Sequence, residues 1–314
     1  MSRPSTISPA DAVPSDPPAG LRTVLLFLGV TALLSAVFYG FVILTGHVGG
    51  GNGAYELGLM WSPAVAALIA CRLGGRPLAS LGWRWGAWRW QWLAFLIPLA
   101  YAAITYGAVW LTGLGGFPEP AFVTSTRASL GWTGAPEGLV IGGYFLLIAT
   151  AGMPMSLAFA LGEEIGWRGF LSPQLTARFG LGAGGVLTGL IWAAWHLPLV
   201  FFADYHAGAP IWFGVGCFVV LMAGMSVVMA WLRVRSASLW TAAIFHASHN
   251  QFIQVFFTPI THPHGRLTAY AIDEFGFALP LVVLVLAAVV WRLAARRPEM
   301  AGSAAVEFVG RRPT

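Results

Sequence analysis

The chain of 314 residues is 57% hydrophobic and only 9% charged, whereas a soluble domain carries roughly 25% charged residues. A chain so short of charge cannot clothe its surface for water, which excludes an ordinary soluble globular protein. Its net charge of +5 (17 basic residues, all arginine, against 12 acidic) is spread singly between apolar runs, which excludes the basic patch of a nucleic-acid binder. The two cysteines, Cys71 and Cys217, each sit in an apolar run and give neither a disulfide framework nor zinc-ligand spacing.

Residues 1–21 are rich in Pro, Ser, Ala and Asp and lack periodicity, as expected of a disordered tail. The apolar run that follows starts too late and runs too long for a secretory signal, so the first span is expected to be a retained anchor. Segments near 23–45, 55–72, 92–113, 139–162, 183–203, 211–232, 238–257 and 276–294 give about eight candidate spans of the length a bilayer requires. Leu81–Trp92, which alternates Trp and Arg, suits the headgroup layer rather than hydrocarbon. A second interfacial segment is expected at Gly169–Phe179. The longer loops 114–137 and 258–275 are expected on the opposite side.

With the N-terminus placed in the cytoplasm and the spans alternating, only Arg127 and Arg266 of the 17 basic residues fall outside. The positive-inside bias therefore puts both termini in the cytoplasm. No internal repeat is visible, which argues against a transporter built from inverted halves. The expectation is an all-α polytopic membrane protein of a bacterial-type plasma membrane, with one transmembrane domain at 22–297, a tail at 298–314 and a central polar cavity.

The cavity is inferred from polar residues where a bilayer should exclude them, since an ionisable group at membrane depth marks function by default. Glu163-Glu164-Ile165-Gly166-Trp167-Arg168 ends the fourth span. Glu164 and Arg168 are four residues apart and share a helix face, while Glu163 points about 100° away. One carboxylate is thus expected to be neutralised and the other left free as acid or base. His196, in IWAAWHLPLV, lies about 18 Å into its span; Pro198 beside it removes a helical N–H. His246 and Asn250 are again four apart and suit an oxyanion, with His249 about 60° off their face. Asp204, His206, His262 and His264 fall in loops and are expected to be solvated, and Glu56 is expected to be interfacial. Carboxylate, imidazole, then imidazole with amide make a working set for hydrolysis if the three spans converge.

These residues resemble a known family. Glu-Glu-x-x-x-Arg, an aromatic-x-x-x-His and His-x-x-x-Asn on successive helices, within 138–257, are similar to the motifs of the CPBP family, which comprises CAAX-type prenyl endopeptidases and the Abi bacteriocin-processing and immunity proteins. The resemblance implies an eight-helix core and an endopeptidase acting on a lipidated or membrane-anchored peptide. It implies that Glu163 activates a water with help from His196, that Glu164 pairs with Arg168, and that His246 and Asn250 stabilise the oxyanion. The aromatic residue is Trp192, where the family usually has Phe; a different pocket shape with unchanged chemistry is expected. No cofactor is expected. The alternative is a zinc ion on Glu163, His196 and His246, although an HExxH pair is absent and an Asn amide is a weak ligand. A substrate is expected to enter from the cytosolic face or laterally from lipid. The competing functions are a non-catalytic binding or immunity protein and a proton-coupled transporter.

Overall fold

The computed structural model describes residues 19–296; apart from 19–21, the expected tails lie outside the described residues. These form helices α1 (Leu21–Thr45), α2 (Ala54–Leu73), α3 (Trp88–Leu111), α4 (Pro120–Ser129), α5 (Glu137–Thr150), α6 (Met153–Glu164), α7 (Ser172–Phe202), α8 (Ile211–Ser236), α9 (Leu239–His249), α10 (Arg266–Ala271) and α11 (Ala278–Ala295). The only sheet among them pairs β1 (Gly115–Gly116) with β2 (His262–Pro263), antiparallel, and joins the two long loops. The protein is all-α, as expected.

Among the described residues, six stretches are long and apolar enough to cross a membrane: Leu21–Thr45, Gly51–Leu73, Trp88–Leu111, Met153–Phe202, Ile211–Ser236 and Ala278–Ala295. Length and hydropathy alone therefore do not return the expected count of about eight. Met153–Phe202 contains a sharp bend at Gly180, whose φ of 77° and ψ of 167° suit only glycine. Beyond the bend the chain folds back so closely that a Cβ on Gly184 would lie 2.5 Å from the Thr176 nitrogen. The expected fourth span, 139–162, divides into α5 and α6, because Pro154 has no N–H for the Thr150 carbonyl and the Gly152 N–H reaches back to Leu147 O at 3.0 Å. The expected seventh span is α9 prolonged by a π-helical segment, Asn250–Phe257; its polar side chains lower its hydropathy.

Small residues set the helix spacing, as they do where lipid supplies no hydrophobic drive between helices. A Cβ on Gly189 of α7 would meet Met222 O of α8 at 2.4 Å, and one on Gly166 would meet Pro63 of α2 at the same distance. Large apolar side chains face outward, Leu111 being 91% exposed and Leu44 85%, while Trp167, Trp192, Phe218, Phe245 and Phe252 fill the interior. In the Trp/Arg segment, Trp83, Trp85, Trp88 and Trp92 are exposed. The backbone of that segment is tied to the start of α9 by Leu239 N–H to Gly82 O (2.7 Å) and Trp240 Nε1–H to Trp83 O (2.9 Å).

Replacing Gly189 with Ala forces α7 and α8 apart. The expected loss is about 1–3 kcal/mol, read as a lower thermal midpoint in detergent. Gly107→Ala in α3, where nothing lies within 4 Å, should leave the midpoint unchanged or raise it, because Ala is the better helix former.

Candidate functional site

Glu163 and Glu164 close α6, and the next seven residues, Ile165–Leu171, form a π-helical segment. Such segments interrupt α-helices most often at functional sites. Every residue from Gly162 to Leu171 is buried, so neither carboxylate returns to water at the helix end.

The two glutamates have separate partners, as their angular offset predicts. Glu164 Oε1 accepts from Arg168 Nη1 at 2.8 Å and from His246 Nδ1 of α9 at 3.0 Å. Arg168 also donates from Nη2 to Ser226 Oγ of α8 at 2.8 Å, and its carbonyl accepts from Arg233 Nε at 3.2 Å. Its guanidinium carbon stands 4.0 Å from the ring centre of Trp192, within cation–π range. Glu163 Oε2 accepts from the indole N–H of Trp192 at 2.6 Å and, more weakly, from that of Trp167 at 3.3 Å.

Trp192 is the meeting point. Besides holding Glu163 and covering Arg168, its ring centre lies 5.1 Å from that of His246 and 5.7 Å from that of His196. Its carbonyl accepts from His196 Nδ1 at 3.0 Å. That bond leaves His196 Nε2 as an acceptor when the imidazole is neutral. The tryptophan thus supplies a hydrogen bond to Glu163 that a phenylalanine cannot make.

Glu163, His196, His246 and Asn250 all line one cavity of about 380 Å³. Glu164 and Arg168 are fully buried and stand behind its wall. Glu56, expected to be interfacial, also lines it. The cavity reaches Val48, Tyr205 and Glu274, residues of the loops that the arginine distribution assigns to the outside. At the arginine-rich end the buried π-helical segment packs against the Trp/Arg segment: the ideal Cβ of Gly169 lies 3.4 Å from Leu81 O.

A second polar cluster on this wall was not legible beforehand. His249 donates from Nε2 to Glu274 Oε1 at 2.8 Å, and Tyr101 OH lies 2.5 Å from its Nδ1. Glu274 Oε2 accepts from Tyr205 OH (2.9 Å) and Gln254 Nε2 (3.0 Å). Asp273-Glu274 resembles a solvated loop in sequence; the one available signal was His249, which at membrane depth requires a partner. Burial pushes the Asp273 carboxyl up to about 7, with the charge of Glu274 adding to it. Burial would raise Glu274 too, but hydrogen bonds from His249, Tyr205 and Gln254 hold it below the usual carboxylate range.

The loop residues pair locally. Asp204 accepts from Val48 N–H at 2.8 Å and from His47 at 3.1 Å. His262 donates to Glu119 at 2.6 Å, and that bond with the Ala121 N–H holds the half-buried Glu119 carboxyl low. Among the described residues, no three His, Cys, Asp or Glu side chains are grouped closely enough to hold a metal ion. In Glu163, His196 and His246, the indoles engage Oε2 of the carboxylate, and the Trp192 carbonyl and Glu164 engage the two imidazole Nδ1 atoms.

Removing one member of the Glu164–Arg168 pair leaves a buried charge alone. Arg168→Met is expected to cost about 3–5 kcal/mol, and Glu164→Leu with Arg168→Met much less than either change alone. Folded yield and thermal midpoint in detergent, measured as a double-mutant cycle, check this.

The raised Asp273 carboxyl gives a pH dependence. Its contribution to stability is fully present below its ordinary value of about 4 and is lost as pH rises through about 7, because the folded state holds the proton more tightly. Asp273→Asn keeps a residue tolerant of the positive φ of 70°. The midpoint difference between variant and wild type should grow in the variant's favour between these pH values and level off above them.

Residues 145–252 match the family described as type II CAAX prenyl endopeptidase Rce1-like. A similar curated protein, CAAX prenyl protease 2 of Methanococcus maripaludis, is 32% identical over 89 residues, which are 27% of this chain and 32% of that protein. The chain thus spans about a third of the length of the curated relative it matches. The matched segment holds the glutamates, Arg168, His196, His246, Asn250 and the tryptophan that joins them.

Proposed function

We propose that the protein is an intramembrane endopeptidase that hydrolyses a peptide bond of a lipidated or membrane-anchored peptide. The observation that carries this is the division of labour between adjacent carboxylates. Glu164 is neutralised behind the wall by Arg168, while Glu163 faces a cavity shared with two imidazoles and an amide.

Glu163 takes a proton from a water that also donates to His196 Nε2. The hydroxide adds to the scissile carbonyl carbon, and its oxygen becomes an oxyanion. Asn250 donates to that oxyanion from its amide. His246, whose Nδ1 is given to Glu164, donates from Nε2 when both its ring nitrogens carry protons. Collapse breaks the C–N bond, and the leaving amine takes its proton back from Glu163. No acyl-enzyme forms and no metal takes part. We place both termini in the cytoplasm of a bacterial-type plasma membrane, an orientation that the arginine distribution supports; the cavity then reaches the outer loops at Val48, Tyr205 and Glu274.

The test is hydrolysis by the purified protein of prenylated and unlipidated peptides; the name of the similar protein makes prenylated C-termini the first to try. Glu163→Gln should lower kcat by at least about 100-fold, and His196→Ala by about 10²–10⁴-fold, with chelators without effect. Cleavage that survives Glu163→Gln would leave a different base to be found. Loss on chelation with recovery on zinc would return the metal mechanism, and full cellular function of both variants would favour a binding protein.

A further inference from the structure

Trp192 completes Glu163, and this inference rests on the hydrolytic role just given to that carboxylate. A glutamate whose two oxygens are free to exchange is a poorly aimed base, since the carboxylate plane rotates about its last torsion over a broad, roughly two-fold well. Here one oxygen is tied. Oε2 receives the Trp192 indole proton at 2.6 Å and that of Trp167 at 3.3 Å. No hydrogen bond reaches Oε1 among the described residues. The residue is 1% exposed, so no bulk water competes for the tied oxygen.

The donor is strengthened from its other side. The Arg168 guanidinium lies 4.0 Å over the Trp192 ring and draws electron density from it, which makes the indole N–H a better donor. One arginine thus serves both carboxylates, Glu164 by direct contact at 2.8 Å and Glu163 through the intervening indole. The same tryptophan fixes His196 by accepting its Nδ1 proton on the carbonyl. The base and the imidazole are therefore referred to a single rigid residue.

We propose that the Trp192 indole N–H is a positioning group. It holds Oε2 of Glu163 so that Oε1 alone is presented to the attacking water.

Trp192→Phe keeps an aromatic face for Arg168 and removes the N–H. A 3-benzothienylalanine at this position, which replaces N–H by S, removes the donor with almost no change of shape and guards against misfolding. Two readouts are needed. The first is the Trp192 indole proton in a ¹⁵N-tryptophan spectrum of the detergent-solubilised protein. It should lie far downfield and move upfield in Glu163→Gln, where the acceptor is neutral. The second is hydrolysis: both Trp192 replacements should lower kcat about 10- to 100-fold, the worth of a hydrogen bond to a charged group, with KM nearly unchanged. An indole proton that ignores Glu163→Gln overturns the proposal, as does wild-type kcat in the folded benzothienyl protein. A responsive proton in a wild-type protein that cleaves none of the peptides instead counts against the hydrolytic role, and leaves the carboxylate clamp standing.

Discussion

The buried pair of Glu164 and Arg168 constrains everything around it. Two opposite charges at complete burial are costly unless hydrogen bonds satisfy their remaining capacity. Three further elements satisfy part of it, and Glu164 Oε2 and Arg168 Nε keep no hydrogen-bond partner among the described residues. His246 comes from α9, Ser226 from α8, and the face of Trp192 from α7. The pair therefore fixes where three helices sit relative to α6, and it does so in a medium where apolar packing alone discriminates poorly between helix arrangements. Glycines then set the distances at which those helices meet.

That constraint also explains why two adjacent glutamates do different work. Helical geometry alone separates them by about 100°, but the separation matters only because one side of α6 is cationic and the other is not. Glu164 lies against the guanidinium, and Glu163 lies against indole N–H groups and the cavity. An indole donates a hydrogen bond to a carboxylate but carries no opposing charge, whereas the guanidinium beside Glu164 carries one.

Much of this was legible in the sequence for a single reason: polar residues inside an apolar chain are few enough to be read individually. The four-residue spacings of Glu164 with Arg168 and of His246 with Asn250 correctly place each pair on one face, and His196 joins the same cavity. What escaped follows from physics that no pattern records. A lipid-facing surface is as apolar as the core, so periodicity does not say which side of a helix looks inward, and the hydrogen bond from Trp192 was invisible behind its ring. Glu274 was missed because its burial comes from three distant donors, His249, Tyr205 and Gln254, not from its neighbours. Pro154 was passed over as an interior residue of one span, although it divides that span into α5 and α6.

Two of the three motif-bearing helices change to π-helical geometry at their polar residues, after Glu164 in one and from Asn250 in the other. A π-turn widens the helix and rotates the residues that follow relative to those before it. In α6 the rotation begins between the glutamates and the Trp167–Arg168 pair, and Trp167 still reaches Glu163 and Arg168 still reaches Glu164, each across four residues. In α9 it begins where His249 turns toward Glu274 and Asn250 toward the cavity. The cavity is lined by Glu163 just before the first distortion and by Asn250, Gln251 and Gln254 within the second. The widened turns thus coincide with the places where polar groups gather inside an otherwise apolar bundle, while the four-residue pairs themselves need only ordinary helical spacing.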